Sequence, residues 1–210
     1  MDEGIRLEQG LRWEDAERLY RQLLDHTDLV PTDLADVRLR HANALLELGR
    51  HEEAQRGFDG ALDAAKATRD TIVLARALVG AGVFAASRGD LARGEEFLLA
   101  ALQRFHVRHD RDGIQGEGWA FLNLAAIYGR TARLDLAFLT FGKARERLFG
   151  IENWVGVASA WEMQAQLRER LGDPDRAAHD LHEAMVFYLK QGMHEKADDL
   201  QRRLGGRRVA

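Results

Sequence analysis

The sequence predicts an all-α solenoid, in which about five antiparallel helix pairs stack and a C-terminal helix caps the stack. Apolar residues recur at spacings of three and four along the 210 residues, which is the period of an amphipathic helix. A ladder of a small residue, a bulky residue and a further apolar residue also returns five times, and the first members lie 38, 40, 43 and 40 residues apart. A repeat of this length indicates stacked, similar units.

Each ladder is expected to lie in the second helix of a pair and to be buried between helices. Another small residue stands twelve positions before each of the last four ladders and lets the neighbouring helix approach closely; Gly82 is one of these. The five ladders are Ala16/Tyr20/Leu23, Ala54/Phe58/Ala61, Gly94/Leu98/Ala101, Ala137/Phe141/Ala144 and Ala177/Leu181/Ala184.

Turn and capping signals place the individual helices. Gly49, Gly89, Ala132 and Gly172 each stand five residues before a ladder and predict the turn inside a pair. An aspartate after such a turn, as in Asp173-Pro174, predicts the start of the next helix. Short connections make successive helices antiparallel neighbours. The predicted helices are 2–9, 12–25, 32–48, 51–68, 71–88, 90–108, 113–131, 133–149, 153–171, 173–190 and 193–204.

The ends of the chain differ from its middle. The helix after Gly192 carries one apolar face and a charged remainder, as expected of a cap on a repeat stack. Residues 1–204 are therefore expected to form a single helical-repeat domain, and residues 205–210 a disordered tail.

Composition limits the classes of function. The chain has 46% hydrophobic residues, enough for a buried core, and its net charge of −4 does not favour nucleic acid or an anionic membrane. The absence of cysteine excludes disulfides and thiolate chemistry. The polar N-terminus does not resemble a signal peptide, and no apolar run approaches the roughly 20 residues of a membrane helix. These features predict a soluble, cytoplasmic protein.

Candidate catalytic and metal-binding patterns are incomplete. His179 and His182 share one helical face, but the sequence indicates no third ligand for them. His106 and His109 stand at a helix end, where histidine suits the helix dipole. Phosphate-binding loops, nucleophile elbows and dinucleotide fingerprints are absent from the sequence. We therefore expect no enzyme activity, no metal and no cofactor.

One stretch resembles a known family. Residues 121–128 read FLNLAAIY and are followed by Ala132, Ala137, Phe141 and Ala144. This pattern resembles the tetratricopeptide repeat (TPR) family, and the resemblance covers about residues 1–190. The period is longer than the usual repeat of about 34 residues and is similar to the long-helix variant of the family. The repeats depart from the pattern at Arg38, where bulk is expected, and at Arg168, where an aromatic residue is usual.

The resemblance implies a right-handed α-α superhelix that binds a protein or peptide in its concave groove, so that the chain would act as an adaptor or sensor. Arginine and asparagine could hold a peptide backbone or carboxylate, and Trp119 could be an anchor or could pack between repeats. Gly80 and Gly129 could admit a ligand backbone or could reflect drift between repeats. The groove positions implied by the family are Arg40, Asn43, Glu47, Arg76, Val79, Val83, Trp119, Asn123, Arg130, Glu162, Gln166 and Arg170.

Self-association is the alternative. The first repeat is truncated, and Ile5, Leu7, Leu11 and Trp13 would form an apolar edge without a capping helix. Burial of such an edge in a homodimer would be favourable at roughly 25 cal/mol per Å². The edge therefore predicts a scaffold protein that dimerises through its N-terminal repeat.

Overall fold

The computed structural model describes residues 2–9, 12–26 and 28–205. These residues form helices whose ends lie within two residues of their predicted positions. Residues 206–210 of the predicted tail lie outside the described residues, whereas Gly205 ends the last helix. The helices are α1 (Asp2–Gln9), α2 (Trp13–Leu24), α3 (Pro31–Glu47), α4 (His51–Ala67), α5 (Thr71–Ser87), α6 (Leu91–His106), α7 (Arg111–Arg130), α8 (Leu134–Gly150), α9 (Trp154–Arg170), α10 (Pro174–Lys190) and α11 (His194–Gly205).

The helices form two compact units. Unit 1 comprises residues 1–105 and unit 2 comprises residues 106–210. Within unit 1, α3 packs against α4 and α5; within unit 2, α7 packs against α8 and α9, and α10 packs against α9 and α11. Each unit is therefore built from neighbouring helix pairs, as the repeat predicts.

The ladders form the core of both units. Their central residues, such as Phe58 and Phe141, are at most 1% exposed, and the small residues beside them are equally buried. Gly82 explains why small residues are needed, because a Cβ there would lie 3.1 Å from the carbonyl oxygen of Gly94 on the facing helix. The prediction that ladder residues pack between helices is confirmed.

The turns inside the pairs share one backbone conformation. Gly49, Gly89 and Gly172 have φ values of 72°, 92° and 74°, and Ala132 occupies the same left-handed region with φ 58°. The next residue then bonds back across the helix end, for example from the Asp173 N–H to the carbonyl oxygen of Arg168 at 3.0 Å. This is the Schellman arrangement, which satisfies carbonyls that the ending helix leaves free.

Candidate peptide-binding surfaces

The first helices of neighbouring pairs lie side by side. In unit 1, α3 contacts α5, and in unit 2, α7 contacts α9. Their exposed sides therefore define two candidate surfaces: the first-helix face of unit 1, carried by α1, α3 and α5, and the first-helix face of unit 2, carried by α7, α9 and α11.

On the first-helix face of unit 1, Arg40 is part of a polar network. Its Nη1 donates to Glu8 Oε2 at 2.9 Å, and the Tyr20 hydroxyl donates to Glu8 Oε1 at 2.6 Å. Burial, with the Glu8 hydrogen bond adding to it, raises the pKa of Tyr20 well above its usual range. Arg40 thus connects α3 to α1, and this structural role was not evident from its position in the repeat.

The other predicted residues of this face lie on the outer side of α3 and α5. Asn43 and Glu47 are exposed and stand one turn apart on α3. Arg76 of α5 lies 3.5 Å from the carboxylate of Asp36 on α3. Val79 and Val83 are half-buried on α5. The face thus combines exposed polar groups with a partly exposed apolar strip.

On the first-helix face of unit 2, Trp119 and Asn123 are adjacent. Trp119 is half-buried and packs with Met163 of α9 against a small apolar cluster. The Asn123 Nδ2 donates to the Trp119 carbonyl oxygen at 2.8 Å. This bond fixes the plane of the Asn123 amide, whose oxygen accepts no hydrogen bond from the described residues.

Gln166 and Arg170 of α9 come together on the same face. Both are exposed, and both line a cleft of about 50 Å³ together with Met163 and Gly129 of α7. A Cβ on Gly129 would lie 3.0 Å from a methyl of Leu167, so this glycine allows α7 and α9 to approach beside the cleft. Arg130 is exposed at the C-terminal end of α7.

Gly80 does not lie on the groove side as expected. A Cβ there would be 2.4 Å from Leu39 Cδ1 and 3.0 Å from the ring of Phe58. Gly80 is therefore buried against α3 and α4, and it makes room for these side chains rather than for a ligand.

Glu162 belongs to a second polar network that resembles the one at Glu8. Its carboxylate accepts from the Tyr188 hydroxyl at 3.0 Å and from Arg203 Nη1 at 3.2 Å. Burial raises the pKa of Tyr188 to about 12. In both networks a first-helix glutamate binds a tyrosine of its own pair and an arginine of the next first helix. This shared network was not predicted from the sequence. The signal for it was present, since glutamate, tyrosine and arginine stand on three successive helices in both places.

A polar seam between α8, α9 and α10 was also missed. Asp180 is fully buried and accepts from Gln164 Nε2 at 2.9 Å and from Arg168 Nη1 at 2.7 Å. Arg145 donates to Gln164 Oε1 at 2.8 Å and stacks on Trp161, with its guanidinium carbon 3.7 Å from the ring centroid. Burial raises the pKa of Asp180 and lowers that of Arg145. The sequence offered one indication of this seam, namely Arg168 at a position where the repeat usually has an aromatic residue.

The proposed self-association edge is described only in part. Leu7 is half-buried against Ala16, Tyr20 and Val37, and Trp13 is half-buried at the start of α2. The side chain of Ile5 and the whole of Leu11 lie outside the described residues.

Two further properties of the described residues bear on function. No three or more His, Asp or Glu side chains among them are placed to hold a metal ion. None of the helices in the described ranges is long and apolar enough to cross a bilayer.

The paired helices, the buried ladders and the left-handed turns form an all-α helical-repeat fold that is similar to that of tetratricopeptide repeat proteins. No protein-family model matches the sequence.

Several solved structures share the fold. BtubC from P. vanneervenii is 17% identical, with a TM-score of 0.64 over 95% of this chain and 89% of BtubC. PlcR of Bacillus thuringiensis, solved in complex with the peptide PapR7 and DNA, is 16% identical, with a TM-score of 0.78 over 95% of this chain and 71% of PlcR. A Rap protein complexed with Competence and Sporulation Factor is 17% identical, with a TM-score of 0.58 over 92% of this chain and 56% of Rap. These similarities confirm the predicted resemblance at the level of the fold.

Proposed function

We propose that this protein is a non-catalytic adaptor or sensor that binds a protein or peptide segment on its first-helix faces. The observation that carries the proposal is the arrangement on unit 2, where Asn123 presents a fixed amide next to the large side chain of Trp119. PlcR, which shares the fold, was solved in complex with the peptide PapR7 and DNA. A net charge of −4 supports a polypeptide partner over nucleic acid.

The side chains of this face suit an extended peptide. An amide side chain can donate to a peptide carbonyl and accept from a peptide N–H, so Asn123 and Gln166 could both bind backbone groups. Exposed Arg130 and Arg170 would attract a carboxylate, which a guanidinium binds bidentately. Half-buried Trp119 and Met163 offer apolar area to a side chain of the peptide.

The proposal is tested by selecting binders from a displayed peptide library and measuring their affinity by fluorescence anisotropy. We expect Asn123→Ala to weaken binding about tenfold, because it removes roughly 1.4 kcal/mol of hydrogen bonding. Arg76→Ala reports in the same way on the first-helix face of unit 1. His182→Ala, on the exposed side of α10, is the matched control and should leave the affinity unchanged.

Selected peptides that bind Asn123→Ala and Arg76→Ala as tightly as the wild type would show that the first-helix faces are not the binding surfaces. A binder that is lost only in Asn123→Ala would assign the activity to unit 2.

Self-association through the N-terminal repeat is the alternative function. It is favoured by Trp13, which remains partly exposed at the start of α2. Light scattering should then show a dimer that Trp13→Ser converts to a monomer. A wild-type protein that stays monomeric at high micromolar concentration would contradict this alternative.

A further inference from the structure

An open cleft of about 360 Å³ lies among α2, α3 and α4 of unit 1, on a side of the helices that the proposed peptide-binding faces do not use. Its volume suits a small organic ligand or one side chain of a partner. The lining residues that matter here are Arg38, His41, Glu53, Arg56, Gly57 and Gly60.

The charge balance of the cleft is positive. Arg38 is half-buried, and its Nη1 donates to the Gly60 carbonyl oxygen at 3.1 Å, which holds the guanidinium against the wall. Arg56 is exposed and makes no ion pair within 4.0 Å in the part of the chain that the structure describes. The acidic residue of the lining, Glu53, is already bound by Arg50 through two hydrogen bonds of 2.7 and 2.6 Å. Glu53 also interacts electrostatically with Arg56, although Arg50 is its main partner and the larger cause of its lowered pKa. The lining thus carries two guanidinium groups and one carboxylate, and that carboxylate is already held by Arg50.

His41 adds a third nitrogen-bearing side chain to the lining. Its Nε2 lies 3.3 Å from Glu17 Oε1, and the Glu17 carboxylate also contacts Arg50 at 3.2 Å and Arg21 at 3.4 Å. Glu17 is buried behind His41 and is satisfied by these three partners. It therefore orients the imidazole without neutralising Arg38 or Arg56.

The equivalent positions of unit 2 show which group the cleft lacks. Gly57 stands three residues after Ala54, as Asp180 stands three after Ala177, and His41 stands thirteen before Ala54, as Gln164 stands thirteen before Ala177. In unit 2 the Asp180 carboxylate fills this space and accepts from Gln164 at 2.9 Å. In unit 1 the residue that would carry the carboxylate is glycine, and the space is open.

Gly60 keeps the cleft open although packing does not require it. A Cβ at this position would come no closer than 3.6 Å to Arg38 Cδ, which is an ordinary contact. Alanine would make α4 more stable than glycine does. The glycine at position 60 therefore lowers the stability of α4 and leaves the cleft open. At Gly57, by contrast, a Cβ would lie 2.8 Å from the Cβ of Ala42, so this glycine also serves helix packing.

We propose that this cleft is a carboxylate-binding site, in which Arg38 and Arg56 bind the carboxylate and His41 lies beside it. The carboxylate belongs to a free dicarboxylic acid or to an acidic side chain of a polypeptide. The site is separate from the first-helix faces and does not depend on their proposed role.

The test is a titration of the full chain by two-dimensional NMR with glutarate and with N-acetylglutamate N-methylamide, which mimics a glutamate within a peptide. N-acetylglutamine N-methylamide is the uncharged control, and inorganic phosphate tests another anion. At least one carboxylate probe should bind saturably, with a Kd on the order of 1 mM for two charge-assisted hydrogen bonds. The better of the two carboxylate probes distinguishes a free acid from a peptide-borne one.

Variants assign the binding to the cleft. Arg56→Gln, on an exposed residue, should weaken the Kd about tenfold, and Arg38→Gln at least as much. Gly60→Leu should abolish binding, because Gly60 lines the cleft and a Cβ there would meet no atom closer than Arg38 Cδ at 3.6 Å, so a larger side chain would extend into the cleft. Arg69→Gln, an exposed arginine of the same unit away from the cleft, should leave the Kd unchanged.

Several outcomes would overturn the proposal. In the titration, these are the failure of both carboxylate probes to bind, equal binding of the uncharged glutamine control, or binding of phosphate alone. Among the variants, it is unchanged affinity in Arg56→Gln and Gly60→Leu proteins that are shown to be folded.

Discussion

The α2–α4 region of unit 1 and the α8–α10 region of unit 2 have the same ladder register but different interiors. In unit 2, Asp180 is buried among Gln164, Arg168 and Arg145 and its hydrogen bonds are satisfied within the protein. In unit 1, Gly57 occupies the corresponding position and leaves an open cleft beside Arg38. The ladder thus builds the helix frame in both places, and the residues between ladder positions decide whether the space is filled or open.

The largest expected effect comes from removing the buried carboxylate. Asp180→Ala should lower the free energy of unfolding by about 3 kcal/mol, because half-buried Arg168 would lose its ionic partner and buried Gln164 its acceptor. Urea denaturation measures the loss. Asp175→Ala, on an exposed residue of the same helix, serves as the control and should change stability by less than about 0.5 kcal/mol. A small effect of Asp180→Ala would mean that the seam does not hold unit 2 together.

The two regions can be compared directly through one matched pair of substitutions. Gln164→Ala should cost about 2 kcal/mol, because it leaves buried groups of Asp180 and Arg145 without a partner. His41→Ala should cost about 1 kcal/mol or less, since Glu17 keeps Arg21 and Arg50 and the cleft beside His41 is open. Urea denaturation of both variants checks the order. Equal losses of unfolding free energy would show that the side chains lining the cleft contribute as much to stability as those of the seam.

The pH dependence of stability should also distinguish the seam from the α2–α4 region, which has no carboxylate at the position of Asp180. Because burial raises the pKa of Asp180, the folded protein holds the Asp180 proton to a higher pH than the unfolded chain does. This contribution to stability is present at low pH and is lost as the pH rises from about 3.9, the ordinary aspartate pKa, through the raised value. Asp180→Asn should remove this part of the profile, measured by urea denaturation at a series of pH values. An unchanged profile would contradict the shift.

The smallest effect concerns the turns. Ala132 in unit 2 adopts the left-handed conformation that Gly49 and Gly89 adopt in unit 1. Ala132→Gly should therefore stabilise the protein by about 0.5–1 kcal/mol, and Gly89→Ala should destabilise it by at least as much. Thermal unfolding measures both. A loss of stability in Ala132→Gly would indicate that the Ala132 side chain has a role beyond its backbone conformation.

The sequence predicted the helices and ladders well because both depend on local spacing. Phe58 and Phe141 are buried for the same reason in each repeat, so the pattern recurs and is visible. Asp180 was not predicted to be buried, since the equivalent positions carry Leu19, Gly57, Phe97 and Thr140 and share no chemistry. Its burial depends on side chains from two other helices, which spacing along one helix does not report.

The candidate binding residues were predicted only as positions on a face. Gln166 is exposed and Asn123 is half-buried, whereas Arg40 and Glu162 bind within the protein. The partners of these two residues, Glu8 and Arg203, lie more than thirty residues away in the chain. Contacts over such separations depend on how one helix pair packs on the next, and the sequence of a single helix pair does not predict that packing.

The two glutamate networks also have a consequence for the motion of the terminal helices. Glu8 ties α1 to α3 and Glu162 ties α11 to α9, in each case through a partly exposed ion pair to arginine. Since salt screens such pairs while leaving apolar burial intact, ionic strength should control how often the outermost helices open. Amide hydrogen exchange in α1 and α11 would then accelerate with salt, whereas exchange in the ladder helices would stay slow. The order of α1 and α11 would thus depend in part on the ionic surroundings, whereas the order of the ladder helices would not.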